Sequence, residues 1–280
     1  MSNSSVNAKS LIADQVAKVL VEPLEAKSVV LEAGPQIFDS SEPLRIPTLT
    51  DGFDPAWVGE NELIPEDDAA FGELALMPTE RKSIKSITRV SNELIRMAAV
   101  GVDNVLQARL VKDVANKLDT ALLIGDGADN TVTGILNQPG VQVGTLDTAN
   151  PDSLLDAIAL ANAAEVEPNR WFISGADYAA LSKLKDNDGK YLLQTMGTID
   201  GTMTKTLFGV PVTVTNKLTA GQGALVDMSE VAVVRDINPT VKILDERYAE
   251  YDQVGIRVVT RYDLGLLHPE GVVVFGTPAA

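Results

Sequence analysis

Side chains that commonly carry enzymatic chemistry are sparse in this chain. It has one histidine, His268, and no cysteine, so thiol nucleophiles, disulfides, cysteine-ligated zinc and multi-histidine metal sites are excluded. Ser174 precedes Gly175, but Phe172 stands where a nucleophile elbow requires glycine, and a serine triad would need the one histidine. His268 precedes Pro269, and we interpret it as a structural residue in a turn between strands.

Three further motifs fail when their spacing is examined. Residues 186–189 (DNDG) resemble the start of a calcium-binding loop, but its sixth position is Tyr191 and its twelfth is Gly197. Residues 125–127 (GDG) lack the residues that follow in a phosphate-binding loop. Paired carboxylates lack aromatic platforms for a sugar, since aromatic residues are only 5% of the chain. We therefore predict no catalytic, cofactor or metal residue and no enzymatic activity.

The charge balance restricts the partners. The chain has 280 residues, 45% of them hydrophobic, with 39 acidic and 23 basic residues and a net charge of −16. This surface repels phosphate, so a role near DNA would be to contain it. It also disfavours anionic membranes; no apolar run reaches the roughly 20 residues of a membrane span, and the first residues lack a signal-peptide pattern. We expect a protein made in the cytoplasm and kept there, or built into a particle there.

Residues 48–80 are the most unusual segment of the chain, here called the acidic segment. They contain many acidic residues, several prolines and glycines, and no lysine or arginine. So long a stretch without a core of its own is uncommon in a compact domain. Trp57 and Phe71 argue against disorder, because aromatic side chains bury large areas against a partner surface. We predict an extended hairpin that lies across a neighbouring subunit; a flap on its own subunit is the alternative.

A cluster of cationic residues follows directly: Arg81, Lys82, Lys85 and Arg89. Ile84, Ile87 and Val90 are interspersed with them and predict a strand edged with cations. This strand could pair with the acidic segment within one subunit or between two. Repeated around a ring, the pairing between subunits would be a cyclic ionic contact.

Other elements supply the framework. Apolar residues at three- and four-residue steps predict a helix over residues 102–122, about 35 Å long, that ends at the glycines of 125–127. Residues 10–24 form an amphipathic stretch, either a first helix on its own core or an arm on a neighbour. Asn150 and Pro151 predict the start of a helix with Leu154, Leu155, Ile158 and Ala161 inward. Another helix is predicted at 176–185, and strands at 36–38, 171–173, 210–214, 224–226, 231–234, 241–244, 254–261 and 272–275.

Several short motifs occur in a distinctive order. They are AWVGE at 56–60, VSNEL at 90–94, LIGDG at 123–127, GILN at 134–137, LKDNDGKY at 184–191, LFGVPV at 207–212 and RYDLGLLHP at 261–269. In that order and spacing the chain resembles the major capsid proteins of tailed bacteriophages with the HK97 fold, and the resemblance covers nearly all of its length.

The resemblance implies an α+β fold with an N-terminal arm at 1–35 and an extended loop at 48–80. A peripheral domain would comprise 36–47, 81–125 with its long spine helix, and 240–264, and an axial domain would comprise 126–239 and 265–280. The implied inter-subunit contact residues lie in the extended loop, the cationic strand and the axial domain. They are Trp57, Glu60, Glu62, Phe71, Glu73, Arg81, Lys82, Lys85, Arg89, Lys185, Asp186 and Asp188.

Some members of this family crosslink a lysine of the extended loop to a neighbour's asparagine, promoted by a glutamate. The matching positions here are Ile64, a residue near Val254 and a residue near Arg261, so we expect no such crosslink. Stability would then come from non-covalent overlap or from an added cementing protein.

The implied function is a major capsid protein whose pentamers and hexamers form an icosahedral phage head around double-stranded DNA, without sequence-specific binding. Its place would be the virion, assembled in the cytoplasm of the bacterial host. Implied partners are further copies, a portal, a scaffolding protein and a decoration protein; with only a short arm, either a separate scaffold exists or the arm suffices. The alternative is an encapsulin, a nanocompartment shell of the same fold that packages an enzyme.

Overall fold

The computed structural model describes most of the chain. The stretch at 10–24, the greater part of the acidic segment, and Glu62, Ile64, Arg81 and Asp186 lie outside the described residues. The described residues are 28–49, 57–61, 63, 71–77, 82–93, 102–185, 188, 191, 205–236, 240–244 and 246–276.

The described residues form a few helices and longer runs of consecutive strands, which gives an α+β structure. The α-helices are α1 (Val29–Glu32), α2 (Val102–Ile124), α3 (Asp152–Ala163) and α4 (Gly175–Ser182). The strands are β1 (Gln36–Asp39), β2 (Leu44–Leu49), β3 (Phe71–Leu76), β4 (Ile84–Ser91), β5 (Gln142–Gly144), β6 (Arg170–Ser174), β7 (Thr206–Leu207), β8 (Val210–Thr215), β9 (Gly223–Val226), β10 (Val231–Arg235), β11 (Thr240–Leu244), β12 (Gln253–Thr260), β13 (Tyr262–Leu266) and β14 (Val273–Phe275).

Helix α2 confirms the predicted long helix. Its 23 residues span about 35 Å at 1.5 Å per residue. The buried face recurs at three- and four-residue steps, as an amphipathic helix requires. The buried residues of that face include Val111, Val114, Ala115, Leu118 and Leu122. They pack in the larger core with one face of the long sheet described below and with β10 and β13.

Helix α2 ends at the glycines, as predicted, but Gly125 does not act as a left-handed cap. Gly127 has a left-handed backbone with φ of 76°. Gly125 is not left-handed, and its N–H donates to the carbonyl of Ala121. A Cβ on Gly125 would lie 2.1 Å from the carbonyl oxygen of Val132, so the glycine permits a close backbone approach there. The returning chain then packs against the end of the helix.

The longest sheet has six strands in the order β5-β14-β9-β6-β8-β7, here called the six-stranded sheet. Its central strands are buried on both faces and therefore read as continuous apolar runs. Phe172 faces the larger core on α2, while Trp171 and Ile173 face a second core beneath α3 and α4. Trp171 stacks on Phe275 with ring centroids 6.0 Å apart.

Helices α3 and α4 cover this second core. Leu154 and Ala161 of α3 are buried as predicted, but Leu155 is 46% exposed, and Ala157 lies inward instead. Leu155 comes one position after the core residue Leu154 and is turned about 100° away from it around the helix axis. Its apolar side chain led to the prediction that it lies inward, but its position on the helix places it outside. The helix begins one residue later than predicted, and the side chain of Asn150 accepts the Asp152 N–H at 3.1 Å.

Two three-stranded sheets complete the framework. The linking sheet has the order β1-β10-β13, and the cationic sheet has the order β11-β12-β4. The strand predicted at 254–261 ends at Thr260, and the chain enters the linking sheet as β13 from Tyr262. Arg261 holds this crossing: its guanidinium donates to Asp236 at 2.6 Å and to Ser83 at 3.1 Å.

Candidate inter-subunit surfaces

Strand β2, which leads into the acidic segment, and strand β3, which lies within it, form an antiparallel hairpin. Strands β2 and β3 pair antiparallel from Leu44–Leu76 at the base to Leu49–Phe71 at the outer end. At the base, Leu74 and Leu76 lie against the backbone of Gly265 in β13, where an added Cβ would come within 2.7 Å of Leu76. The hairpin is therefore anchored on the linking sheet at one end, and the segment beyond its outer end connects the two strands.

Met77 closes the base of the hairpin with an uncommon backbone conformation. Its φ is 55°, in the left-handed region that non-glycine residues seldom occupy. Its side chain is buried, and its N–H donates to the carboxylate of Asp263 at 2.7 Å. These two interactions fix the direction in which the chain leaves the hairpin.

Two apolar side chains of the acidic segment have no contact that removes them from water. Trp57 and Leu63 are almost completely exposed, and Glu60 beside them is exposed in a turn with Asn61, whose φ is 66°. Tryptophan is the residue most enriched where one protein anchors in another. Exposed in a single subunit, Trp57 and Leu63 are suited to contact a second protein surface.

The cationic sheet carries a set of exposed cations on one side, here called the cationic face: Lys85, Arg89, Lys242 and Arg257. Register places Lys242, Arg257 and Ile87 side by side across the three strands. Lys85 and Arg89 follow at two-residue steps from Ile87, on the same side. Neighbours of this kind lie within roughly 5 to 8 Å, and like charges at such separations repel. Within the part of the chain that the structure describes, none of the four forms an ion pair.

The position of Ile87 differs from the prediction. Ile84 and Val90 point toward the core, but Ile87 is an odd number of residues from both and is 45% exposed among the cations. Alternation in a strand has a period of two, so a three-residue step cannot keep an apolar residue on the same side. The cationic face therefore has an apolar centre.

An aromatic ring supports one end of the cationic face. Tyr248 lies against Gly255, where an added Cβ would come within 2.7 Å of the ring. The guanidinium of Arg89 lies 5.3 Å and that of Arg247 5.6 Å from the ring centroid. Cation–π contacts of this kind hold the two guanidinium groups in place without neutralising their charge.

Other predicted contact residues have partners within the subunit. Glu73 pairs with Arg45 across the hairpin at 3.2 Å, and Lys82 donates to the carbonyl of Gly127 at 2.5 Å. Phe71 begins β3, and its side chain is not described. Near Lys82, a hydrogen bond from Thr131 holds the pKa of Asp126 below its usual value.

The remaining predicted residues lie beyond helix α4. Lys185 pairs with Tyr191 in an isolated antiparallel bridge, and its ammonium group lies 4.8 Å from the ring centroid. Asp188 lies in the turn between them and is exposed.

A buried carboxylate links the first described residues to α2. Asp119 accepts hydrogen bonds from the Ser28 hydroxyl at 2.6 Å, the Val29 N–H at 3.1 Å and the Val30 N–H at 3.4 Å. It therefore serves the free N–H groups at the start of α1. Burial raises the pKa of Asp119, although these hydrogen bonds and the nearby Lys217 oppose the effect. We did not predict this contact, yet an acidic residue beside Ala115, Leu118 and Leu122 on an apolar face was a signal for it.

No three acidic or histidine side chains in the described ranges are grouped as metal ligands, and His268 caps a short 3-10 turn. Among the helices of the described residues, none has both the length and the apolar character needed to cross a membrane.

Comparison with known proteins gives consistent results. A family model described as the phage capsid family matches residues 8–276. The major capsid protein of Klebsiella oxytoca phage phiKO2 is 23% identical and is matched over 94% of this chain and 67% of its own length. The major capsid protein of Enterobacteria phage HK97 is 24% identical over 75% of this chain. The chain spans about half of that relative, 54% of its length.

Solved structures share the fold. The capsid of a native GTA particle has a TM-score of 0.71 at 16% identity, with 88% of this chain and 89% of that chain covered. A chain of Mycobacterium phage Adephagia has a TM-score of 0.70 at 19% identity, with 90% and 91% covered.

Proposed function

The chain belongs to the phage capsid family, and from this premise we propose that its copies form the pentamers and hexamers of an icosahedral head that encloses double-stranded DNA. It has the HK97-type capsid fold and is a phage major capsid protein, a structural component of the virion and not an enzyme. The relatives do not favour the encapsulin alternative. Further partners in this proposal are a scaffolding protein, a portal and a decoration protein.

The observation that supports assembly most directly is the cationic face. Its four cations have no ion pair within the described residues, although the chain as a whole carries a net charge of −16. The acidic segment, which has no lysine or arginine, supplies carboxylates and the exposed Trp57 and Leu63. In the proposed contact, the acidic segment of one copy lies across the cationic face of the next, with its apolar side chains near Ile87.

The domains in this proposal follow the family pattern. Residues 1–35 form the arm and 48–80 the extended loop; 36–47, 81–125 and 240–264 form the peripheral domain, and 126–239 and 265–280 the axial domain. Strand β10 falls on the axial side and β1 on the peripheral side, so the two domains share the linking sheet. A continuous sheet would transmit movement of one domain to the other as a unit.

Non-covalent assembly is part of the proposal. The acidic segment has no lysine amine to form an isopeptide bond. Val254, near the family's asparagine position, lies in β12. Arg261, near the family's glutamate position, donates a hydrogen bond to Asp236. None of the three groups of the family's crosslinking reaction is present at these positions.

Charge reversal on the cationic face tests the proposed contact. Arg257→Glu should lower the yield of closed shells roughly tenfold or more, because the acidic segment would meet a like charge. Lys112→Glu, an exposed reversal on α2, is the matched control. Sedimentation and negative-stain microscopy measure the yield. Shells from Arg257→Glu at the wild-type yield would contradict the contact, and a ladder of covalent oligomers from boiled, reduced particles would contradict non-covalent assembly.

A further inference from the structure

Within the described residues, the six-stranded sheet ends in two edge strands whose surroundings differ in charge. Strand β5 forms one edge and β7 the other, with five inter-strand spacings between them, about 24 Å in all. Helix α3 packs beside β5, and α4 packs over β6 and β8 toward the β7 side. Each edge therefore presents a strand together with the exposed side of one helix.

The β5 edge is acidic and apolar, and is here called the acidic edge. Residues 141–169 contain no lysine or arginine. Asp152 and Asp156 are exposed on the outer side of α3, and neither forms an ion pair within the described residues. Leu155 lies between them at 46% exposure, and Val143 on the edge strand is 64% exposed.

The β7 edge is cationic and aromatic, and is here called the basic edge. Lys183 and Lys185 after helix α4 and Lys205 before β7 are exposed, and Asp188 is the exposed acid in the described part of the stretch between Lys183 and Lys205. Lys205 lies 5.3 Å from the ring centroid of Tyr178, which ties the strand edge to α4. The turn between β7 and β8 adds an exposed aromatic ring, that of Phe208.

Phe208 occupies this turn in a strained conformation. Its φ is 49°, left-handed, followed by Gly209 at 85°. Two-residue hairpin turns of this type favour asparagine or glycine at the first position, and a bulky residue there is unusual. The ring is 41% exposed, so the strain is not repaid by burial within the subunit.

We infer that the acidic edge of one copy docks against the basic edge of the next copy in each pentamer and hexamer. The two edges are opposite in charge, both carry exposed apolar side chains, and they lie at opposite ends of one rigid sheet. Contacts between two different patches of identical subunits are head-to-tail, and such contacts form rings when the rotation from one subunit to the next closes. The inference rests on the proposed function and names surfaces that the contact across the cationic face does not use.

A charge-swap series tests this pairing. Asp152→Lys with Asp156→Lys reverses the acidic edge, and Lys183→Glu with Lys205→Glu reverses the basic edge. Each two-site variant should lower the shell yield roughly tenfold or more, since like charges then meet at every contact. The four-site variant should restore assembly, because both edges are reversed together. Glu32→Lys, an exposed reversal on α1, is the control and should assemble like the wild type.

The outcomes separate this inference from the proposed function. Two-site variants that form shells like the wild type, or a folded four-site variant that fails as they do, would overturn the edge pairing. Wild-type protein that forms no shells would overturn the proposed function itself. Circular dichroism checks the fold of each variant. Where a reversal unfolds the chain, Asp156→Asn and Lys205→Gln replace it, and each should weaken assembly less at high salt than at low salt.

Discussion

At the scale of single residues, Asp119 stands apart because it is a charged group inside an apolar core. It joins α2 to the first turn of α1, so it ties the start of the described chain to the central helix. The Lys217 ammonium donates to Asn116 one turn earlier at 2.9 Å and is the cation that faces this site. An isolated buried carboxylate would be costly, but hydrogen bonds from three donors compensate it.

Replacement of Asp119 by asparagine should destabilise the fold. Asparagine keeps only one acceptor oxygen, and Val29 and Val30 donate to different oxygens of Asp119, so the amide NH2 group would face one of these two N–H groups, at a cost of about 1–3 kcal/mol. Asp113→Asn, on the exposed side of the same helix, should cost less than about 1 kcal/mol, since it loses only the surface pair with Arg109. Urea unfolding followed by Trp171 fluorescence measures both; equal effects would contradict the role given to Asp119.

The difference in stability between wild type and Asp119→Asn should also depend on pH. Because burial raises the pKa of Asp119 above its ordinary 3.8, the folded state binds the proton more tightly than the unfolded state does. The resulting stabilisation is fully present below pH 3.8 and is lost as the pH rises through the folded-state pKa. The stability gap between wild type and Asp119→Asn should therefore widen on acidification. If the stability gap instead narrows on acidification, the pKa of Asp119 is lowered in the folded state and not raised.

Residue types restrict the possible chemistry, whereas which side chains share a surface depends on strand register. The missing cysteines and the single histidine excluded whole classes of site at once. Arg257 and Lys242 were not identified as partners of Lys85 and Arg89, because only strand register places them on one face. Periodicity within β4 would have placed Ile87 on that face, had a period of two been applied.

At the scale of elements, the hairpin depends on its anchor to β13. Asp263→Ala removes the acceptor of the Met77 N–H and leaves a left-handed residue without its hydrogen bond. We expect a local loss of about 1–3 kcal/mol, which corresponds to roughly 5- to 150-fold faster amide exchange in β3. Glu42→Ala, an exposed change at the entry to the hairpin, should leave exchange unaltered. Unchanged exchange in both variants would show that the hydrogen bond from Met77 to Asp263 does not hold the hairpin.

Long elements were predictable because their patterns repeat. Helix α2 was identified from its apolar spacing, and the central strands of the six-stranded sheet from their continuous apolar runs. The division of 254–266 into β12 and β13 was missed, since nothing local marks Arg261 as a crossing between sheets. That crossing depends on Asp236 and Ser83, which are distant in sequence. The short edge strands β5 and β7 were missed for a similar reason, as two or three residues carry no period.

At the scale of the whole molecule, order along the chain carried more information than any one motif. Each of the short motifs is common, but the order in which they occur along the chain predicted the fold that the structural relatives share. The negative net charge predicts that the protein encloses DNA without binding it tightly, and this is part of the proposed function. We expect the inner surface of a shell to be neutral or acidic, because a basic surface would bind the genome tightly through counterion release.

The two edges of the six-stranded sheet also impose a parity rule. The variant reversed at Asp152 and Asp156 is cationic on both edges, and the variant reversed at Lys183 and Lys205 is acidic on both. In a mixture of the two, neighbours around a ring must alternate, so only rings with an even number of members close without a like-charge contact. Hexamers meet that condition and pentamers do not.

The curvature of the assembly then depends on whether rings with an odd number of members can close. A closed icosahedral shell needs fivefold vertices, so an equal mixture of the two variants should give flat or tubular sheets of hexamers in electron micrographs. The four-site variant, with one acidic and one basic edge per copy, should give closed shells under the same conditions. Closed shells from the mixture would show that the edges do not discriminate between neighbours by charge.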